Sequence, residues 1–117
     1  MNIAITFRQL EASEAVKQYA NEKVAKLQKF LRQPLTAQVT LTLDKLQHVA
    51  EVHVHAGSEH FYGSERSEDM YASIDKVIDK LDRQIRGSKE VSQARKRGGD
   101  GLKGQPVAEP AEGDNNE

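Results

Sequence analysis

The sequence of 117 residues contains no cysteine, and aromatic residues make up only 5% of it. Without cysteine the chain forms no disulfide framework, no thiolate zinc site and no cysteine nucleophile. No apolar run approaches the roughly 18 residues that are needed to cross a bilayer. The sequence also does not open with the charged and then apolar segments of a secretion leader. We therefore expect a soluble, cytoplasmic protein that has no membrane contact.

The motifs by which enzymes are recognised are missing as well. There is no HExxH pair, nucleophile elbow, phosphate-binding loop or pair of carboxylates in an apolar setting. Four histidines fall within thirteen positions, and these are His48, His53, His55 and His60. Because a tetrahedral site needs three or four converging nitrogen or sulfur ligands, we interpret them as polar residues of an open sheet face, with an RNA contact as the alternative for His48. We predict no enzyme activity, cofactor, metal or small-molecule substrate.

Acidic and basic residues are unevenly distributed along the chain. The whole sequence has 17 basic and 18 acidic residues, but residues 98–117 contain five acidic residues and one lysine, so residues 1–97 have a net charge of +3. The same terminal segment is rich in Gly and Pro and has few large apolar residues. Such a composition cannot offset the conformational entropy lost on folding. We predict one folded domain over 1–97 and a disordered acidic tail over 98–117.

Hydrophobic periodicity predicts the element order β-α-β-β-β-α. Apolar and polar residues alternate, as they do in half-buried strands, at 2–8, 37–44, 50–56 and, more weakly, 59–65. Helical spacing predicts one helix that begins after Ser13 and ends near Leu31, and a second that begins after Ser67 and ends near Arg97. Because every strand has one apolar face, we predict an α+β fold. Its four-stranded, antiparallel-type sheet has both helices packed on one face.

The second predicted helix carries an apolar stripe and a basic stripe on different sides. At about 100° per residue, the apolar residues between Met70 and Ile85 fall on one arc, and Lys76, Lys80 and Arg83 project away from it. Acidic residues cluster on a separate flank made by Asp75, Asp79 and Asp82. We therefore predict that the basic stripe is free of acidic residues.

A second basic set lies on the first predicted helix, where Lys23, Lys26 and Lys29 are spaced three residues apart. If both helices lie on the same side of the sheet, the two sets are expected to merge into one surface. Clustered cations bind phosphates by releasing counterions, and this contribution grows with every contact. The pattern therefore indicates an RNA-binding surface, with an ordinary solvated charged face as the alternative.

Four segments carry a resemblance to a known family. They are MNIAIT at 1–6, EAVKQYANEKVAKLQKF at 14–30, LDKLQH at 43–48 and EDMYASIDKVIDKLDRQI at 68–85. Over residues 1 to about 97 the sequence resembles the ribosome hibernation-promoting factor and ribosome-associated inhibitor family, also called the sigma-54 modulation protein family. The resemblance implies the β-α-β-β-β-α fold, similar to a double-stranded-RNA-binding domain, and a non-catalytic activity.

The resemblance also implies a partner and a mode of action. Family members bind rRNA of the small ribosomal subunit in the decoding channel, occlude the mRNA and tRNA sites, and keep the ribosome inactive in starvation or stationary phase. Long members add a second domain that pairs two ribosomes. This chain has only an acidic tail, so we expect a short-form factor that is a monomer. A general double-stranded-RNA-binding protein is the alternative function, and a third is an adaptor that uses the polar sheet face.

Together the basic stripes and the resemblance give a predicted rRNA-binding set of nine residues. It consists of Lys23, Lys26, Lys29, Lys45, Lys76, Lys80, Arg83, Arg86 and Lys89. Many family members have a lysine at the position of Gly87, on the same stripe as Lys76. We expect Arg86 to compensate from the adjacent position.

Overall fold

A single four-stranded sheet organises the chain in the computed structural model, which describes the backbone of residues 1–96 and the side chains of residues 1–88. The strands β1 (Asn2–Arg8), β2 (Thr36–Asp44), β3 (Gln47–Ala56) and β4 (Glu59–Ser67) lie in the order β1-β2-β3-β4. The helices are α1 (Glu14–Ala25), a 3₁₀ helix (Lys26–Phe30) and α2 (Met70–Lys96). The element order is therefore the predicted one. The predicted tail at 98–117 and the side chain of Lys89 lie outside the described residues.

Residues Met1–Ile85 form one compact unit by their internal contacts, and α2 continues beyond the last residue of that unit. Within the part of the chain that the structure describes, no helix has the length and apolar content needed to span a membrane.

The sheet is mixed, and the prediction of an antiparallel-type sheet is wrong for β1. This strand runs parallel to β2, with Ile5 opposite Val39, whereas the β2–β3 and β3–β4 pairs are antiparallel. The cause is the connection, because a helix lies between β1 and β2 and returns the chain to the end of the sheet at which β1 began. Alternating residues indicate a half-buried strand but not its direction.

Two tight turns set the register of the three antiparallel strands. Lys45 and Leu46 join β2 to β3, and Lys45 has a φ of 61°. Gly57 and Ser58 join β3 to β4, and Gly57 has a φ of 64°. Two-residue hairpin loops require positive φ values, and a Cβ at Gly57 would lie only 2.8 Å from Cγ of Gln33. The first turn places Lys45 at one end of the sheet, where its side chain is exposed.

The core lies between one face of the sheet and the helices, as predicted. The sheet contributes buried Ala37, Val39, Leu41, Ala50, Val52, Val54 and Ala56, and the two α-helices contribute Ala20, Val24, Met70, Ile74, Val77, Leu81 and Ile85. Residues that alternate with these on the strands, such as Gln38 and His53, are exposed. One face of the sheet is therefore packed, and the other is open and polar.

The first helix begins where predicted and ends earlier. The Ser13 hydroxyl accepts a hydrogen bond from the Val16 amide at 3.2 Å, which confirms Ser13 as the N-cap. The α-helix ends at Ala25 and a 3₁₀ helix continues to Phe30. The segment predicted as one helix to about Leu31 therefore consists of an α-helix followed by a 3₁₀ helix. The Gln28 side chain holds the following turn, because its amide oxygen accepts from the Leu35 amide at 2.7 Å.

The second helix begins at Met70, so the prediction of Ser67 as its N-cap is wrong. Asp69 has the capping role, since its side chain accepts a hydrogen bond from the Tyr71 amide at 3.3 Å. The Ser67 hydroxyl instead lies 2.8 Å from the hydroxyl of buried Ser73, which donates to the His48 carbonyl at 2.6 Å. These contacts join the start of α2 to the backbone of His48 in β3. The half-buried His48 therefore lies at a structural junction.

Leu81→Ala tests the packing of α2 on the sheet. Leu81 is fully buried, so we expect the free energy of unfolding to fall by about 2–5 kcal/mol through lost apolar contact and a cavity. The matched control is Leu46→Ala, because the Leu46 side chain is 86% exposed and its truncation should change stability by no more than about 0.5 kcal/mol. Urea unfolding measures both. Equal stability of the two variants would contradict the buried position of the α2 arc.

Candidate nucleic-acid interface

Three lysines project from the first helical segment. Lys26 and Lys29, on the 3₁₀ helix, are exposed, and Lys23, near the end of α1, is half-buried. The Lys23 ammonium lies 5.3 Å from the Tyr19 ring centroid, and that of Lys29 lies 5.2 Å from the Phe30 ring centroid. Both contacts are cation–π interactions, in which the ammonium lies over the face of an aromatic ring.

These lysines form one wall of a groove whose other wall is the acidic flank of α2. The groove has a volume of about 290 Å³ and is lined by Lys23, Lys26, Lys29, Phe30, Asp75, Ile78, Asp79 and Asp82. Across it, the Lys23 ammonium lies 3.8 Å from the Asp75 carboxylate, and the Tyr19 hydroxyl donates to that carboxylate at 2.6 Å. Opposite charges thus join α1 to α2.

The two basic sets consequently do not merge into one continuous surface. The carboxylates of Asp75, Asp79 and Asp82 lie between the lysines of the first helical segment and the basic stripe of α2. Helical periodicity shows which residues of α2 share a flank, but it does not show which neighbouring element that flank faces. The interface is better described as two cationic rows separated by an acidic row.

The α2 row consists of Lys76, Lys80 and Arg83, all exposed, and Lys80 reaches β4. The Lys80 ammonium lies 3.0 Å from the Glu65 carboxylate and donates to the Ser64 carbonyl at 3.4 Å. Close packing makes this reach possible, because a Cβ at Gly63 would lie 3.4 Å from Cδ of Lys80.

Acidic partners are present on this row, so the prediction of a stripe free of acidic residues is wrong for two of its three members. Arg83 donates to the Asp79 carboxylate at 2.5 Å, one helical turn away, and Lys80 pairs with Glu65. Among the described side chains, the predicted contacts that form no ion pair are Lys26, Lys29, Lys45 and Lys76. Exposed ion pairs are worth only about 0.2–1 kcal/mol, so the paired cations remain available to a stronger ligand.

Lys45 lies apart from both rows, at the β2–β3 turn. It lines a shallow surface depression with Asp44 and Arg66, whose guanidinium is 3.7 Å from the Asp44 carboxylate. Arg66 is a cation that the sequence reading missed; the alternation of β4 was the available signal, because it places Arg66 on the open face with Ser64. Arg86 is exposed on the part of α2 that follows the compact unit, and the position of the Lys89 side chain is not described.

The open sheet face carries side chains that pair with one another. His53 packs against Tyr62 with ring centroids 4.5 Å apart, and His55 packs against His60 at 4.4 Å. The Tyr62 hydroxyl donates to the Glu51 carboxylate at 2.6 Å, which raises the pKa of Tyr62. Within the described residues no three histidine or carboxylate side chains converge in a way that would hold a metal ion.

Charge on this open face is balanced, which makes it a poor surface for phosphate. Arg8 and Arg66 are opposed by Asp44 and Glu51 on the same face. The helical side, in contrast, groups six cations of the predicted set in two rows, beside the three carboxylates of the groove and Glu65. The cations are therefore clustered on the helical side, where one nucleic-acid backbone can contact several of them.

The hydrogen bond from Tyr19 to Asp75 should make the stability of the fold depend on pH. Because the hydroxyl donates to a carboxylate, the pKa of Tyr19 rises from 10.0 to about 12. A raised folded-state pKa means that the stabilisation is complete below about pH 10, where the unfolded phenol is protonated, and is lost as the pH approaches 12. We expect spectrophotometric titration to show a phenol near pH 12 that Tyr19→Phe removes. In the Asp75→Asn variant the Tyr19 phenol should titrate closer to pH 10. An unchanged titration curve of this variant would show that the Asp75 carboxylate does not raise the pKa of Tyr19.

Comparison with known proteins places this geometry in context. The model of a family described as Sigma 54 modulation protein / S30EA ribosomal protein matches residues 3–93. The ribosome hibernation promoting factor of Azotobacter vinelandii is 34% identical over 98 residues, which cover 84% of this chain and 92% of that protein. The ribosome hibernation promoting factor of Escherichia coli K12 is 32% identical over 90 residues, which cover 77% of this chain and 95% of that protein.

Two solved structures are similar to the fold described above. The Protein Y N-terminal domain of Thermus thermophilus has a TM-score of 0.69 and 30% sequence identity, and the match covers 75% of this chain and 99% of that one. A ribosomal subunit interface protein from Coxiella burnetii has a TM-score of 0.67, and the match covers 77% of this chain and 99% of that one. At 19% identity, this second similarity concerns the fold alone.

Proposed function

The chain belongs to the family described as Sigma 54 modulation protein / S30EA ribosomal protein, and on that basis we propose that it is a ribosome hibernation factor. The observation that carries the proposal is similarity to hibernation promoting factors over 92% and 95% of their lengths. The protein binds the small ribosomal subunit and blocks translation under starvation or in stationary phase. It acts in the cytoplasm as a monomer and has no enzyme activity.

The helical side of the compact unit is the proposed rRNA-binding surface. Its two cationic rows present ammonium and guanidinium groups to water, while the open sheet face has no excess of positive charge. Phosphate contacts position a protein on nucleic acid without reading its sequence. The lysine row on the first helical segment and the α2 row are therefore assigned to separate stretches of the rRNA backbone, with Lys45 contacting a third from the turn.

The proposed mechanism is occlusion. A folded unit bound in the decoding channel excludes mRNA and tRNA from the volume it fills, and this requires neither a reacting group nor a cofactor. The buried arcs of α1 and α2 hold the cationic rows on one rigid scaffold. Affinity then depends on how many phosphates the rows reach, and inhibition depends only on the presence of the folded unit.

A double substitution tests the assigned surface. Lys26 and Lys76 lie on different rows, are exposed and form no ion pair among the described side chains. Replacing both with Ala should weaken binding to small ribosomal subunits and reduce the slope of log affinity against log salt by roughly 0.7–0.9 for each lost contact. Sedimentation of subunits with the protein, repeated over a series of salt concentrations, measures both quantities.

The matched control removes two cations elsewhere. Arg8 is exposed at the end of β1, and Lys17 lines a different groove, beside Ile3 and Ile5. The Arg8→Ala/Lys17→Ala variant changes the net charge equally and should keep the wild-type salt slope. If the two double variants weakened binding to the same extent, the effect would come from net charge and the assigned surface would be wrong. Wild-type co-sedimentation with free double-stranded RNA instead of ribosomes would favour a general RNA-binding protein.

Substitution of Gly87 separates a helix effect from a charge effect. Gly87 lies inside α2, and a Cβ there would meet nothing within 4 Å. Both Gly87→Ala and Gly87→Lys should stabilise the local helix by roughly 0.5–1 kcal/mol, which far-UV circular dichroism detects as added helicity. Only Gly87→Lys should tighten subunit binding, because it supplies a cation at a position where the family resemblance implies one. Equal affinities of the two variants would show that this position does not face rRNA.

A further inference from the structure

Among the described side chains, Lys23, Lys80 and Arg83 of the proposed rRNA surface each pair with a carboxylate. Lys23 pairs with Asp75 across the groove, Lys80 pairs with Glu65 of β4, and Arg83 pairs with Asp79 on the same helix. The number of cations alone therefore overstates the charge that the surface offers to RNA. The acidic partners take part in the energetics of binding as directly as the cations do.

A carboxylate and a phosphate compete for the same donors. Asp79 accepts from the Arg83 guanidinium at 2.5 Å, and the guanidinium fork recognises carboxylate and phosphate groups with the same geometry. A phosphate that takes the same N–H donor of Arg83 must displace the carboxylate, and a phosphate that binds the other donors lies beside a carboxylate that repels it. The gain from this contact is consequently smaller than that from a cation with no acidic partner.

The three carboxylates differ in how firmly they are held. Asp75 also accepts a hydrogen bond from Tyr19 at 2.6 Å, so it joins α1 to α2 in addition to pairing with a lysine. Glu65 is 31% exposed and belongs to β4. Asp79 and Arg83 are the most exposed pair, at 56% and 73%, and their spacing is the i, i+4 arrangement of acid before base that favours pairing on a helix.

We propose that Asp79 is an internal competitor of RNA phosphate at Arg83 and lowers the affinity of the protein for the ribosome. This inference rests on the proposed function and concerns the regulation of the same surface. The carboxylate lowers the free energy of the unbound protein, and it repels the phosphate once that has bound. Both effects favour release of the protein from the ribosome.

Asp79→Asn tests the inference because it removes the charge and keeps the shape of the side chain. Loss of an exposed pair should tighten binding to small ribosomal subunits by roughly two- to fivefold. It should also steepen the salt dependence toward one additional phosphate contact, a change of roughly 0.7–0.9 in slope. Glu14→Gln is the control, since it changes the net charge equally beside Lys17 in the other groove. Thermal unfolding confirms that both variants are folded.

A second pair of variants shows whether Asp79 acts through Arg83. In an Arg83→Gln background, Asp79→Asn should no longer tighten binding beyond the gain given by Glu14→Gln. If Asp79→Asn equals Glu14→Gln in the otherwise wild-type protein, or keeps its full effect without Arg83, the competitor role is wrong. That result leaves the proposed function intact, because the function fails only if the wild-type protein does not bind ribosomal subunits at all.

Discussion

Burial of one arc of α2 against the sheet is the contact on which the other features depend. Ile74, Val77, Leu81 and Ile85 are fully or almost fully buried, so the helix cannot rotate about its axis without exposing large apolar side chains. At about 100° per residue, fixing that arc fixes the direction in which the other side chains between Met70 and Ile85 project. Gly63 sets the distance, because a Cβ there would lie 3.2 Å from Cγ2 of Val77.

The rotation of α2 about its axis also determines how the β4 edge of the sheet is protected. The Lys80 side chain donates to the Ser64 carbonyl at 3.4 Å, and the Gln84 side chain donates to the Tyr62 carbonyl at 2.9 Å. Unpaired carbonyls on an edge strand invite pairing with another chain, so both side chains cover a vulnerable part of β4. Lys80 thus stabilises the fold as well as supplying charge, and its replacement would mix the two effects in a way that replacement of Lys76 does not.

Structural features that follow from a local repeating pattern could be predicted from the sequence. Features that depend on contacts between two elements could not. Alternation and helical spacing were sufficient to predict the element order and both buried faces, and the Ser13 cap was correct because its signal lies within one helical turn. The direction of β1 depends on a crossover, and Asp69 rather than Ser67 caps α2 because Ser67 is still paired with His48 as the last residue of β4. The pairing of Lys80 with Glu65 likewise joins two elements. Each of these outcomes requires knowledge of a neighbour that local periodicity does not contain.

An interface that alternates cationic, acidic and cationic rows discriminates between targets in a way that a uniform basic patch does not. A uniform patch gains counterion-release energy from any polyanion, and it would bind abundant RNA without selection. Where carboxylates such as Asp75 and Asp79 hold the cations, a contact becomes favourable only if a phosphate lies close enough to replace them. On the proposed function, folded rRNA with backbone segments at both rows meets this condition. An unstructured RNA strand meets it only after losing conformational entropy, so the same ion pairs that weaken binding also make it selective.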